Sequence, residues 1–415
     1  METITPEKET IEYLEKMKLE DIFPKSLDLE NKESNKISIN EEPLEINENN
    51  DNYDTENIKL VKDQKFHIKL PSESTINCIC SYNNILLIAS NAEVRLYDIE
   101  ENFKYCGSIN VPEKDKFILC LACTEIDNIL YGLIGGEFSC IHVIDILSIE
   151  EITGFQLIGH KNKVYQLEFY PKCKEILLSA GKDCTIRLWN FKRSELLCIF
   201  GGPLSFESDV LCIDWNHNGE FFVGAGVDCV VRIYKIDEII NKNIELSFKK
   251  NEKIKTLIKS KPYFSCGNIH DNLIDCIKYN NKFIISKSVD GIIKEWLPFK
   301  DVNDNDSFFL INIFVFNTKQ LILGIKFSFF DNNIIIGNEL GQIFLFEKHK
   351  TEMNNEVKEH PFFKNNYTQL VFVDAKKNDI LLKCNNYNPM FKYIFFGSNK
   401  GDVYIYNLFL YLNNK

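Results

Sequence analysis

The chain has 415 residues, 45% hydrophobic and 13% aromatic, with 48 Lys and Arg against 60 Asp and Glu for a net charge of −12. That much apolar material can build a sizeable core, which excludes wholesale disorder, and the acidic balance argues against direct binding of nucleic acid through phosphate contacts. The charge is uneven: residues 1–66 hold 18 acidic and 9 basic side chains, a net of −9, so the remaining 349 are nearly neutral.

Residues 1–57, rich in Glu, Asn and Lys and without a long apolar run, read as an acidic, mostly disordered extension. At its start Thr5 can cap a helix with Pro6 in the first position, and Ile11, Leu14 and Met17 recur on one face. This segment is either a short solvated helix or one that docks on a partner. No apolar signal core opens the chain and no run of 18 apolar residues follows, so no membrane association is expected. The 14 cysteines are single and scattered through strand-like runs, as at Cys78, Cys212, Cys229 and Cys276, which suits free thiols packing as small hydrophobes in a reducing compartment. Cys120 and Cys123 make one Cys-x-x-Cys, but no second pair or His stands at zinc spacing, so packing is the expected role and no metal site is assigned.

From residue 58 onward short apolar runs alternate with Asn, Asp, Gly and Lys clusters, for example Ile85 to Ala89, Glu93 to Tyr97, Ile176 to Ser179 and Thr185 to Trp189. This is strand patterning, with no long helical period. The strand ends repeat. Tyr97, Ile144, Trp189, Tyr234, Trp296, Phe346 and Tyr406 are equivalent, at intervals of 47, 45, 45, 62, 50 and 60 residues. That is close to the period of about 40–45 residues of a four-stranded propeller blade, with two long insertions. A turn residue precedes most of them: Asn91, Asp183, Asp228, Asp290, Gly341 and Gly401. The fold class is therefore all-β: one seven-bladed propeller over residues 58–415, preceded by the extension. Closure needs a strand from each chain end, and Ile58 to Leu70 can pair with Val403 to Tyr406.

Two repeats carry a fuller pattern. Gly159–His160 is followed by Ser179, Asp183 and Trp189, and His270 by Ser286, Asp290 and Trp296, with the same Ser-to-Asp and Asp-to-Trp offsets. In a blade such a His can bond the turn Asp and the Ser, and the Ser the Trp indole, so every buried polar group is satisfied and the strands are tied together. These eight residues are read as structural networks. The pattern resembles the WD-repeat family, with Trp189–Asn190 in place of the usual end dipeptide.

From Gly159 to Pro298 the sequence is similar to the extra sex combs / embryonic ectoderm development (ESC/EED) family of Polycomb proteins. The segments that carry the similarity are GHKNKVYQLEFYPKCKEILLSAGKDCTIRLWN, LLCIFGG, DVLCIDWNHNGEFFVGAGVDCVVRIYKI and FSCGNIHDNLIDCIKYNNKFIISKSVDGIIKEWLP; IKFSFFDNNIIIGNELGQIFLFE is compatible with a sixth blade. The resemblance implies a non-catalytic, nuclear subunit of Polycomb repressive complex 2. Its partner would be a SET-domain histone lysine methyltransferase subunit, gripped through a long helix on one propeller face, and a histone-tail peptide would bind the other. It also implies an aromatic cage for trimethyl-lysine, where ring faces attract the cation. The cage positions fall at Asn77, Ile118, Leu323 and Gly324, none of them aromatic, and a one-residue slip adds only Phe117. The cage is therefore expected to be lost or rebuilt. Leu167 and Phe283 are apolar candidates for the helix groove that also suit blade cores.

No Gly-rich phosphate loop, zinc constellation or serine nucleophile elbow occurs, so no catalytic or cofactor-binding residues are assigned. The alternative within the fold is a WD-repeat adaptor of another complex, in ubiquitin ligation or vesicle trafficking. The Lys-rich stretch Lys249–Lys261 is expected as a solvated loop, the alternative being a contact with histones or a neighbouring subunit.

Overall fold

The structure is a computed structural model that describes residues 65–407 except 72–73, 250–251, 253, 302, 316–320, 322, 331–332, 347–366 and 371–380. The N-terminal segment, with its Thr5-capped helix, and residues 58–64 lie outside the described residues. Seven sheets follow one another along the chain, antiparallel except for one added strand of blade 3. Blade 1 contains β2 (Ile76–Tyr82), β3 (Ile85–Ser90), β4 (Glu93–Asp98) and β5 (Lys104–Asn110). Blade 2 contains β6 (Ile118–Ile126), β7 (Ile129–Gly136), β8 (Cys140–Asp145) and β9 (Glu150–Ile158). Blade 3 contains β10 (Val164–Phe169), β11 (Ile176–Gly181), β12 (Ile186–Asn190) and β13 (Glu195–Phe200). Blade 4 is β14 (Val210–Trp215), β15 (Phe221–Gly226), β16 (Val231–Lys235) and β18 (Phe264–Cys266). Blade 5 is β19 (Ile274–Asn280), β20 (Phe283–Ser288), β21 (Ile292–Lys300) and β22 (Asp306–Val315). Blade 6 is β23 (Phe327–Phe330), β24 (Asn333–Gly337), β25 (Ile343–Phe346) and β26 (Tyr367–Leu370).

Blade 7 takes its strands from both ends of the chain. To β27 (Leu382–Asn388), β28 (Tyr393–Ser398) and β29 (Asp402–Asn407) it adds β1 (Lys65–Lys69), which pairs antiparallel with β29 from Lys65↔Tyr406 to Lys69↔Asp402. The ring thus closes as the apolar pattern before Leu70 requires, and closure removes the exposed edge that an open sheet would leave.

The repeat read from the sequence coincides with the third strand of every blade. Tyr97, Ile144, Trp189, Tyr234, Trp296, Phe346 and Tyr406 are all buried, and each sits opposite an apolar residue or glycine of the second strand: Leu86, Gly132, Leu177, Phe222, Ile284, Ile334 and Ile394. The core is divided accordingly. Seven hydrophobic clusters each join two neighbouring blades, one of them linking blade 7 to blade 1 through Cys384, Phe395 and Val403 against Ile76 and Ile88. Burial between sheets, more than within them, holds the ring.

One insertion departs from expectation. After β16, Asp237 caps α1 (Glu238–Leu246) by accepting the Ile240 N–H at 2.9 Å, and Ile240 and Ile244 pack into the core between blades 3 and 4. The chain then adds β17 (Leu257–Lys259) as a fifth strand on blade 3, parallel to β13. The Lys-rich stretch is therefore not simply a solvated loop; part of it is a strand held by backbone pairing.

Candidate functional site

The blade 3 network is complete. His160 Nδ1 lies 2.9 Å from Asp183 Oδ1, His160 Nε2 lies 2.7 Å from Ser179 Oγ, and Trp189 Nε1 donates to Ser179 Oγ at 2.8 Å. One proton arrangement satisfies all three contacts: the indole donates to the hydroxyl, the hydroxyl to neutral Nε2, and Nδ1–H to the carboxylate. Burial pushes the His160 pKa down despite Asp183 beside it. Burial alone would raise the Asp183 carboxyl; hydrogen bonds from His160, Thr185 and the Lys161 N–H outweigh it and hold the group well below the usual carboxylate range. Arg187 closes the other side of Asp183 at 3.1 Å. Gly159 is required by this packing, since a Cβ there would sit 2.7 Å from both Arg187 Nη1 and the Trp189 ring.

Blade 5 repeats the upper half only. Ser286 Oγ lies 2.8 Å from His270 Nε2 and 2.9 Å from Trp296 Nε1. Asp290, however, accepts from Asn272 Nδ2 at 2.9 Å, from the Ser288 hydroxyl and from the Ile292 N–H at 3.2 Å, not from His270. The carboxylate keeps its turn but does not reach the imidazole. Blade 4 makes a related tie with other residues: Asp228 pairs with Arg232 at 2.6 Å, and Ser205 bonds the Tyr234 hydroxyl at 2.6 Å. Sequence reasoning missed the two arginines, although both stand four residues after a turn Asp.

One propeller face is defined by bulges. At its start the innermost strand of six blades skips one residue in pairing with its neighbour, at Asn77, Leu119, Tyr165, Leu211, Asp275 and Lys383. A bulge re-aims its residue out of the sheet alternation. Of the residues assigned to the cage, Asn77 is one of these bulged residues, whereas Ile118 is fully buried in the core between blades 1 and 2 and the bulged residue of blade 2 is Leu119. The slip runs away from Phe117, which stays exposed before the strand. Leu323 is 52% exposed just before blade 6, and the Gly324 N–H donates to Asp275 Oδ2 at 2.8 Å. Asp275 is itself held by Lys287 at 2.7 Å in an almost wholly buried ion pair. The site thus has a structured carboxylate at its rim, already engaged by an ammonium and a backbone N–H. Tyr165 is the aromatic among the six bulged residues, and its hydroxyl donates to Asp209 Oδ2 at 2.9 Å.

Below this rim the ring is cross-braced by polar side chains. Lys278 of blade 5 contacts Glu168 of blade 3 at 2.7 Å and Asp214 of blade 4 at 3.2 Å, and Lys326 reaches Gln166 Oε1 at 3.2 Å. Burial disfavours the Lys278 ammonium, but the two carboxylates outweigh it and raise its pKa. Of the groove candidates, Leu167 is 4% exposed within the core between blades 2 and 3, the blade-core setting that it also suited. Phe283 is half-buried where β20 begins, at the end of the blade opposite the bulges.

Residues 152–190 and 194–235 match the model of the WD domain, G-beta repeat. Among curated proteins, the Polycomb protein esc of Drosophila virilis is 31% identical over 226 residues, 51% of this chain and 53% of that protein. The Polycomb protein esc of Musca domestica is 28% identical over 289 residues, 60% of this chain and 67% of that protein. The chain spans about half the length of the first of these relatives. In fold it is similar to a chain of the Chaetomium thermophilum Polycomb Repressive Complex 2 bound to GSK126, with a TM-score of 0.66 at 14% identity, covering 83% of this chain and 97% of that one. These homologues are Polycomb proteins of the kind that the segments between Gly159 and Pro298 resemble.

Proposed function

We propose that this seven-bladed propeller is a non-catalytic scaffold subunit of a Polycomb repressive complex 2, supporting a SET-domain histone methyltransferase and chromatin silencing in the nucleus. The observation that carries the reading is the 31% identity to esc over 226 residues, joined to a fold that matches a chain of that complex over 83% of this one. Every polar cluster of the WD type described above is spent on tying strands together, which suits a platform whose work is done by partners. The methyltransferase would lay an amphipathic helix into a groove on one face.

Affinity purification of the tagged native protein tests this. Recovery of a SET-domain methyltransferase supports the scaffold reading, and recovery of cullin or coat subunits instead would overturn it in favour of an adaptor role. The reading also holds that methyl-lysine recognition is lost. The positions that the resemblance assigns to the cage carry Asn77, Ile118, Leu323 and Gly324, with Leu119 at the bulge beside Ile118, and none of these side chains offers a ring face to a quaternary ammonium. Titration of the pure protein with trimethylated and unmethylated histone peptides should show equal or no binding. Selective binding of the trimethylated peptide would show that the cage has been rebuilt.

A further inference from the structure

Cys140 and His142 are two residues apart on β8, so they project from the same side of blade 2, and Glu113 approaches them from the connection that leaves blade 1. Cys140 Sγ lies 3.5 Å from His142 Nε2, His142 Nε2 lies 3.1 Å from Glu113 Oε2, and Cys140 Sγ lies 3.9 Å from Glu113 Oε1. Among the described residues this is the one group of three or more His, Cys, Asp or Glu side chains whose ligand atoms come together within 4.8 Å.

These spacings have a physical meaning. Bonds of about 2.3 Å to sulfur and about 2.0–2.1 Å to nitrogen or oxygen, at tetrahedral angles, separate ligand atoms by about 3.3–3.6 Å. The observed separations, taken over both carboxylate oxygens of Glu113, run from 3.1 to 3.9 Å and so lie around that range. A second observation points the same way: Glu113 Oε2 is buried, and no hydrogen bond of good geometry reaches it, although it lies 3.1 Å from His142 Nε2. A buried carboxylate oxygen in that condition is costly unless a cation serves it. Gln156 supplies an outer contact, its side-chain amide lying 3.3 Å from His142 Nδ1, and the Phe138 ring packs edge-on against the imidazole at 5.0 Å. With the amide turned so that its oxygen accepts Nδ1–H, Gln156 would set the tautomer that puts the lone pair on Nε2, the ligating nitrogen.

We propose that Glu113, Cys140 and His142 form a zinc site that pins the connection between blades 1 and 2. Thiolate, imidazole and carboxylate together suit Zn2+ better than a hard cation, and three protein ligands leave a fourth position for water. The Glu113 side chain is 29% exposed while that of His142 is 1% exposed, so the metal enters past the carboxylate. Binding converts the Cys140 thiol to a thiolate and releases its proton to solvent.

The test uses the full-length chain, stripped with chelator and titrated with zinc alone by calorimetry, with Co2+ as the spectroscopic probe. One equivalent of zinc is expected, together with thiolate-to-cobalt charge-transfer absorption and tetrahedral d–d bands. Cys140→Ser should abolish the charge-transfer band, and Glu113→Gln, a half-buried change in a connection, should weaken binding while the far-ultraviolet dichroism stays native. Gln156→Ala should weaken zinc about 10–100-fold, the usual effect of losing an outer-shell partner. Cys106→Ser, at an exposed thiol elsewhere, should change nothing. No zinc uptake by the wild-type chain, or uptake equal in Cys140→Ser and Glu113→Gln, would overturn the site.

Discussion

Replacing Ser179 by Ala removes a single oxygen at the centre of the blade 3 network and strands two partners. Trp189 Nε1–H loses its acceptor at 2.8 Å and His160 Nε2 loses its contact at 2.7 Å, and both side chains are about 1% exposed. An unsatisfied buried donor or acceptor costs about 1–3 kcal/mol, so Ser179→Ala should destabilise the protein by about 2–6 kcal/mol. Total stabilities are about 5–15 kcal/mol, so the change is a large fraction. Ser286→Ala should cost a similar amount, because Ser286 serves the same two partners at 2.8 and 2.9 Å. The blades should part company at the next link: Asp183→Asn disturbs His160 directly, whereas Asp290→Asn leaves the His270 contacts in place. Urea unfolding followed by dichroism and by tryptophan fluorescence measures each variant, two of the three tryptophans being the reporters in question. A double-mutant cycle with Trp189→Phe should show coupling of about 1 kcal/mol, since both changes break the same bond. A loss below about 0.5 kcal/mol for Ser179→Ala, the size expected of a bland surface change, would refute the network as a source of stability.

Two further outcomes follow from the structure. Asp275→Asn leaves the Lys287 ammonium buried without its carboxylate and should cost about 3–5 kcal/mol; adding Lys287→Met should recover part of it, and strict additivity of the two in unfolding experiments would argue against the pair. Burial and then the nearby Lys294 push the His270 pKa from 6.5 down to about 3, so the unfolded chain takes a proton below pH 6.5 that the native protein refuses until about pH 3. Stability should hold above pH 6.5 and fall between pH 6.5 and 3 by at most about 1.4 kcal/mol per pH unit from this group. His270→Gln should flatten that slope, and an unchanged slope between pH 7 and 4.5 would contradict the assignment.

The repeat of buried third-strand residues, and with it the number of blades, could be read from the chain because each blade is a local unit whose apolar residues must return at a fixed interval. The same holds for the two His–Ser–Trp ties, since His, Ser and Trp recur within single blades. Closure by β1 was legible too, because an unpaired last strand demands a partner and only one alternating segment lay outside the ring. What the chain could not disclose is register and distant encounter. A one-residue bulge moves the rim position of blade 2 from Ile118 to Leu119, and no sequence period records it. Strand alternation places Leu167 in a blade core, one of the two settings that its apolar side chain suited. Asp290 shares the spacing of Asp183 yet bonds Asn272, because hydrogen-bond choice depends on ångström placement and not on offset. Glu113 meets Cys140 and His142 across a separation of 27 and 29 residues, and β17 joins blade 3 after the whole of blade 4's first three strands has intervened. Sequence by itself determined the ring, because burial of periodic apolar residues is a local demand; the tertiary structure alone decided which polar groups meet, because that depends on how separate blades come to rest against one another.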